Sequence, residues 1–215
     1  MNYGKDTDSK SFRLILCSLV ELGAKNINLI SPTHVWQAIH SDLSHFTRLF
    51  SQPLILKISG YETQAMIREM APLASVFVPD FKLWSPGSAR QAGLPLDYGK
   101  IAQSSVSEML RTHGTPQFVE GRLNRGILVR HLWMPGNFSE SKQVIAALAE
   151  IGYRGYFNLM TQYVDVRQSR MITAPKTEIL WLAQMGKDCG LQILIDGKRG
   201  TSYGEHETDI LYRAG

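Results

Sequence analysis

Asp80 and Lys82 stand two residues apart, just after the apolar run from Ser75 to Val78. On an extended segment, residues i and i+2 project to the same side. A carboxylate and an ammonium could therefore meet one ligand there, holding its hydroxyls and its charge. The plain alternative is an internal ion pair in contact with solvent. Arg130 and His131 close a second run, Ile127 to His131. His131 is a candidate general base, although a hydrogen-bonded structural histidine is the commoner case. A third run, Tyr156 to Met160, carries Asn158 and Met160 and leads into Thr161, Gln162 and Tyr163. Ser31-Pro32-Thr33-His34 follows the run Asn26 to Ile30 and reads as a helix cap with proline in the first turn. Such a helix start can also receive a carboxylate or phosphate. Ser59-Gly60-Tyr61 follows Leu54 to Ile58, and Asp196-Gly197-Lys198 follows Leu191 to Ile195.

Other chemistries lack their residues. The chain has no G-x-G-x-x-G, P-loop, C-x-x-C or H-E-x-x-H pattern. His34, His40 and His45 are spaced by six and five, which does not put them on one helix face for a metal. The two cysteines, Cys17 and Cys189, sit far apart in apolar helical contexts. They read as buried free thiols of a reducing cytoplasm. No catalytic residue and no metal ligand set is assigned from these patterns.

The runs that carry the polar residues are short and rich in β-branched side chains, as strands buried on both faces are. Helical patterns separate them. Phe12, Ile15, Leu16, Leu19, Val20 and Leu22 recur at helical spacing before Gly23. A helix from Pro32 to about Leu49 would turn Val35, Ala38, Ile39, Leu43 and Phe46 inward. Others are expected over Glu62 to Met70, Gly99 to Arg111, Ser139 to Ile151 and Lys176 to Cys189. The order is one helix, then β-α five times, then a last strand. Right-handed crossovers make this a parallel sheet in one domain spanning residues 1–215. In such architectures ligands gather at the carboxyl ends of the strands, where these polar residues fall. A complete eightfold barrel takes about 250 residues. Six strands therefore predict a partial barrel or an open sheet. Because a helix comes first, the opening strand of a barrel is missing.

The chain has 215 residues, is 44% hydrophobic and 20% charged, and carries a net charge of +4. That excludes a disordered chain. Lysine and arginine are scattered instead of forming the basic stripe of a nucleic-acid binder. Gly197-Lys198-Arg199-Gly200 is a small cluster expected in a solvated loop. No apolar run approaches the length of a membrane span, and the first ten residues carry no secretory core. Neither a nucleic-acid nor a membrane partner is expected.

Four segments carry a resemblance. Gly23-Ala24-Lys25-Asn26-Ile27-Asn28-Leu29-Ile30-Ser31-Pro32-Thr33-His34 resembles G-A-x-N-I-N-x-V-T-P-T-H of radical SAM proteins related to the pyruvate formate-lyase activating enzyme. Val78-Pro79-Asp80-Phe81-Lys82-Leu83-Trp84 resembles their M-P-D-F-K-x-W. Residues 126–136 resemble G-L-L-I-R-H-L-V-L-P-G, and residues 156–163 resemble Y-V-N-I-M-x-Q-Y. The four blocks occur in family order. The resemblance implies an α/β fold, a partial parallel (β/α)6 TIM-like barrel of the radical SAM type, here lacking its first strand. It implies S-adenosylmethionine as cofactor, cleaved reductively at a [4Fe-4S] cluster to a 5′-deoxyadenosyl radical. It implies a small-molecule or protein substrate, a protein to be activated being one option. Carried over residue by residue, the pocket includes Ser31, Pro32 and Thr33 near the amino-acid moiety, Ser59, and Asp80 with Lys82. Arg130 lies near the carboxylate or ribose, and Met160 and Gln162 near the adenine.

Two departures stand out. The family holds its cluster with C-x-x-x-C-x-x-C, because thiolates suit iron and support a low potential. That motif is absent, and Met1-Asn2-Tyr3 resembles the Q-N-Y that follows it, as though the chain began just downstream. The second is Lys57-Ile58, where relatives have Asn or Asp and then Thr before S-G-Y. A lysine there reverses the sign of a position near the cofactor. Three readings stay open at this point. They are a radical SAM enzyme, a cluster-free binding module on the same barrel, and an unrelated parallel-barrel enzyme using Asp80, Lys82 and His131.

Overall fold

The computed structural model describes residues 6–119, 122–165, 169–196 and 198–199. Helix α1 (Ser9–Glu21) begins on Asp8, whose side chain accepts from the Ser11 amide, and leads to strand β1 (Ile27–Ile30). Then come α2 (Trp36–Leu49), β2 (Leu54–Ile58), α3 (Gln64–Met70), β3 (Val76–Pro79), α4 (Pro86–Gln91) and α5 (Tyr98–His113). Strands β4 (Gln117–Val119) and β5 (Arg122–Leu132) precede α6 (Phe138–Glu150) and β6 (Tyr156–Met160). A hairpin, β7 (Gln162–Asp165) and β8 (Arg170–Thr173), precedes α7 (Lys176–Asp188), β9 (Gln192–Ile195) and β10 (Lys198–Arg199).

Six strands run parallel in the order β1-β2-β3-β5-β6-β9. This is the curved, mostly parallel α/β sheet expected from the alternating pattern. Residues alternate between two apolar layers. Leu54, Leu56, Ile58, Phe77, Ile127, Val129, Phe157, Leu159 and Ile193 pack against the helices in the larger core. Ile55, Val76, Val78, Leu128, Tyr156 and Leu194 form a smaller cluster on the other, concave face. Continuing that second phase toward the strand ends gives Lys57, Asp80, Arg130, Asn158 and Asp196. The register confirms the row: Asp80 bridges Arg130, Arg130 pairs with Asn158, and Lys57 pairs with Val78 one step below Asp80. An apolar floor is thus topped by a polar layer at the carboxyl ends.

Several local expectations need correction. Residues Pro32–Val35 form a 3₁₀ turn, with Ser31 in the left-handed region at φ 53° and without a side-chain cap. Three residues per turn instead of 3.6 rotates the helix that continues from it. Val35 and Ala38 therefore face outward, and Trp36 is buried in their place. Cys17 and Cys189 are half-buried, not buried, and are free thiols. Lys198–Arg199 pairs antiparallel with β9 as a short strand instead of forming a solvated loop. The β4 strand, the β7–β8 hairpin and α4 have no counterpart in the sequence pattern, since each is short and lacks a sustained period. Met1 to Lys5 lie outside the described residues.

Candidate functional site

Arg130 is the centre of the polar layer. Its side chain is 12% exposed. Nη1 donates to Asp80 Oδ1 at 3.2 Å, and Nη2 meets Met160 Sδ at 3.1 Å. Lys82 Nζ lies 3.7 Å from Asp80 Oδ2 and is 41% exposed. The i, i+2 pair thus forms the ion pair anticipated as the plain alternative, and it also edges a cavity. That cavity has a volume of about 350 Å³. Asp80, Lys82 and Arg130 make its charged wall, and Leu83, Leu94, Leu132, Met134 and Met160 supply apolar surface. Its size falls in the range of small-molecule sites, about 300–1,000 Å³.

Backbone contacts fix this wall. The Asp80 amide donates to Ile58 O at 3.0 Å, and the Phe81 amide to Arg130 O at 2.8 Å, extending the ladder one step past β3. The buried Tyr98 hydroxyl accepts from the Lys82 amide at 3.2 Å and faces the carbonyls of Ser59 and Asp80, each at 3.0 Å. Burial pushes its pKa far up, so it remains a donor. Gly60, at φ +83°, is required for this approach. A Cβ there would stand 1.9 Å from Asp80 O.

A second polar knot joins the ends of β1 and β2. Glu62 Oε1 accepts from Thr33 Oγ1 at 3.0 Å, Ser59 Oγ at 2.8 Å and the Ser59 amide at 3.1 Å. Thr33 therefore holds Glu62 instead of capping α2. Glu140 performs a similar task behind the cavity. It accepts from the amides of Trp84 at 2.7 Å and Ser85 at 3.0 Å, from the Ser88 hydroxyl at 2.9 Å, and from the Ser85 hydroxyl. Burial alone would raise its pKa, but these donors outweigh burial and hold it below the ordinary value.

His131 is buried, with Nδ1 2.7 Å from Phe81 O and Nε2 2.8 Å from Ser141 Oγ. Burial lowers its pKa to about 4, against partial support from the Phe81 carbonyl and Glu140. Both nitrogens are engaged within the protein and the ring faces the helix layer, so it is a structural histidine and not a general base.

Of the residues expected at the site, Asp80, Lys82, Arg130 and Met160 meet at one cavity. Ser59 and Thr33 meet at Glu62, one step away through the Tyr98 hydroxyl. Pro32 is buried beneath them, and exposed Ser31 donates its amide to Lys57 O at 2.8 Å. Gln162 is exposed on β7 opposite Thr173 and is not among the residues lining the cavity. Glu62, Tyr98 and Glu140 carry no mark in the sequence pattern beyond their position one to three residues from a motif or a turn.

No family model matches the sequence, and no curated protein is similar to it in sequence. Solved structures are similar in fold. A domain of pyruvate-formate lyase-activating enzyme from Bacteroides vulgatus matches with a TM-score of 0.62 at 13% identity, over 80% of this chain and 99% of that domain. A radical SAM methyltransferase from Sphaerobacter thermophilus matches at 0.59 and 12% identity, over 89% of this chain and 58% of its own. SuiB from Streptococcus suis, in its complex with S-adenosylmethionine, matches at 0.59 and 12%, over 96% of this chain and 48% of SuiB. The chain shares the fold of these radical SAM enzymes, a partial TIM-like barrel, and spans about half the length of the latter two.

The groups at the cavity are of the chemical kinds that S-adenosylmethionine would need. Arg130 suits a carboxylate, Asp80 suits an amine or ribose hydroxyls, and the methionine and leucine walls suit a purine. A [4Fe-4S] cluster does not fit. The sequence has two cysteines, on α1 and just after α7, and three neighbouring thiolates are needed. Among the described residues no group of three His, Cys, Asp or Glu side chains could hold a metal ion. No described helix is long and apolar enough to cross a membrane.

Proposed function

We propose that this chain is a radical-SAM-like domain that binds S-adenosylmethionine at the carboxyl ends of β3, β5 and β6. The observation that carries the reading is the Arg130–Asp80–Met160 cluster walling a 350 Å³ cavity at the strand ends of this fold. Arg130 takes the cofactor's carboxylate, and Asp80 with Lys82 takes the ribose or amine. Met160 and Met134 pack on the adenine. Ser31, Pro32, Thr33 and Ser59 shape the amino-acid end through Glu62, and Gln162 closes the adenine side. In radical SAM enzymes S-adenosylmethionine supplies a 5′-deoxyadenosyl radical. The thiolates that reaction depends on are not among this chain's residues, so no cleavage step is assigned to it. The separation of Cys17 from Cys189 favours a second reading, a binding module without radical chemistry. An activating role on a protein substrate belongs to the first reading, supported by SuiB's structure with a precursor peptide. Within a cytoplasmic setting, either reading predicts cofactor binding by this domain.

Isothermal titration with S-adenosylmethionine tests the reading. Replacing Arg130 by Met removes a charge-assisted hydrogen bond of about 1.5–3 kcal/mol, so affinity should fall at least tenfold. Absence of binding, or affinity unchanged in Arg130→Met, overturns it.

A further inference from the structure

Residues 84–99 form a loop whose two ends meet. A Cβ on Gly99 would stand 2.8 Å from Trp84 Cα, so only glycine lets the two backbones approach this closely. Within the loop, the Ser85 hydroxyl caps α4 by accepting from the Ser88 amide at 3.3 Å. Ala89 is buried, the Leu94 amide donates to Ala89 O at 2.8 Å, and the Tyr98 amide donates to Pro95 O at 3.1 Å. Compact surface loops with closed ends frequently serve function. This one lines the cavity with Ala92 and Leu94.

Another part of the wall belongs to β5 and the turn after it, through Arg130, Leu132 and Met134. Glu140, on the helix that follows β5, ties the two parts together. Its side chain is buried, and every donor to it among the described residues comes from the loop. The Trp84 and Ser85 amides donate to Oε2, and the Ser85 and Ser88 hydroxyls to Oε1. Helix α6 is itself fixed to β5, because Ser141 Oγ meets His131 Nε2 at 2.8 Å. The loop has few apolar anchors of its own. Trp84, Ala89 and Leu94 pack on the core, whereas Pro86, Gly87, Arg90, Gln91, Pro95 and Leu96 are exposed. Charge-assisted hydrogen bonds to one carboxylate therefore carry a large share of its placement.

We propose that Glu140 is a positioning residue for ligand binding. It does not line the cavity. It sets the cavity's width by holding the loop's wall in place relative to the β5 wall. The ligand is the S-adenosylmethionine of the preceding reading, on which this inference rests. The new claim is that affinity for it is set at a carboxylate behind the wall. Without the four bonds, the loop spends less time in the position that brings Ala92 and Leu94 to the ligand. Apparent affinity falls with that fraction.

Calorimetric titration with S-adenosylmethionine and hydrogen–deuterium exchange of the full chain test this. Glu140→Gln should bind about tenfold more weakly or worse. Without ligand, it should exchange faster over residues 84–99 but not over β6. Ser88→Ala removes one of the four bonds, is the milder change, and should weaken binding by about threefold. His113→Gln is the control. Its ring lies at the amino end of β3, with Nε2 3.0 Å from Ala74 O, away from the cavity. It should lose stability yet keep affinity within about twofold. Equal losses of affinity in Glu140→Gln and His113→Gln, unchanged exchange over residues 84–99, or a Ser88→Ala protein that binds as wild type overturns the proposal. A wild-type chain that takes up no S-adenosylmethionine overturns the cofactor reading instead, and exchange of the unliganded proteins then decides whether Glu140 holds the loop.

Discussion

Tyr61 and Tyr98 stack with ring centroids 6.0 Å apart and planes 12° apart, yet their hydroxyls do different work. The Tyr98 hydroxyl is buried and engages three backbone groups: the Lys82 amide at 3.2 Å and the carbonyls of Ser59 and Asp80 at 3.0 Å. Tyr98→Phe keeps the ring but strands the Lys82 amide and removes a donor from two carbonyls. Leaving one buried group unpaired costs about 1–3 kcal/mol. A chain of this size loses about 2–4 °C in Tm per kcal/mol, so Tm should fall by roughly 3–10 °C. The Tyr61 hydroxyl donates to Asp97 Oδ1 at 2.7 Å at the surface, where water replaces the bond. Tyr61→Phe should change stability by less than about 0.5 kcal/mol. Because Tyr98 ties the Asp80–Lys82 segment to Ser59, Tyr98→Phe should also weaken S-adenosylmethionine binding more than it weakens the fold's response to urea. Urea denaturation and calorimetric titration of both variants measure this. Equal effects of the two substitutions, or a Tyr98→Phe protein within about 0.5 kcal/mol of wild type, refute the reasoning.

Three further outcomes rest on the same contacts. Gly60→Ala places a Cβ 1.9 Å from the Asp80 carbonyl at a positive φ, and should cost more than about 3 kcal/mol or leave the protein insoluble, read by urea denaturation and soluble yield. His131 and His113 are buried, and burial depresses each to a pKa of about 4, below the ordinary 6.5. The unfolded chain therefore binds more protons between these values, and stability should be full at pH 7 and fall by about 2 kcal/mol per histidine by pH 5. Urea midpoints across that range check it, and His131→Gln with His113→Gln should flatten the profile. Glu140→Gln removes the charge that holds the Trp84–Ser88 turn and should cost about 2 kcal/mol, more at pH 7 than at pH 4, by thermal denaturation.

The strands and their polar ends were legible because burial on both faces writes itself as continuous β-branched runs, as in Leu54–Ile58 and Val76–Pro79. Strand alternation alone correctly put Asp80 and Lys82 together, and the parallel order brought Arg130 beside Asp80. The 3₁₀ turn at Pro32–Val35 was not legible, because its apolar residues fit a regular helix until the phase is known. Glu62, Tyr98 and Glu140 escaped for a related reason. Each acts on backbone atoms 3 to 56 residues away, and no local pattern marks a long-range acceptor. The β7–β8 hairpin that carries Gln162 was not legible, because nothing in the sequence announces that the chain leaves the sheet at Thr161. There Asp196 accepts from the Thr161 amide at 2.7 Å and from its hydroxyl, and the hairpin begins.

The central claim is that the strand-end cavity is an S-adenosylmethionine site organised by Arg130. A crystal structure of this chain soaked or co-crystallised with S-adenosylmethionine tests it most directly. The account predicts the ligand in the cavity, with its carboxylate within hydrogen-bond distance of the Arg130 guanidinium and its adenosyl group against Met160 and Met134. Ligand bound away from the ends of β3, β5 and β6, or a cavity that stays empty at ligand concentrations that saturate calorimetric binding, contradicts it.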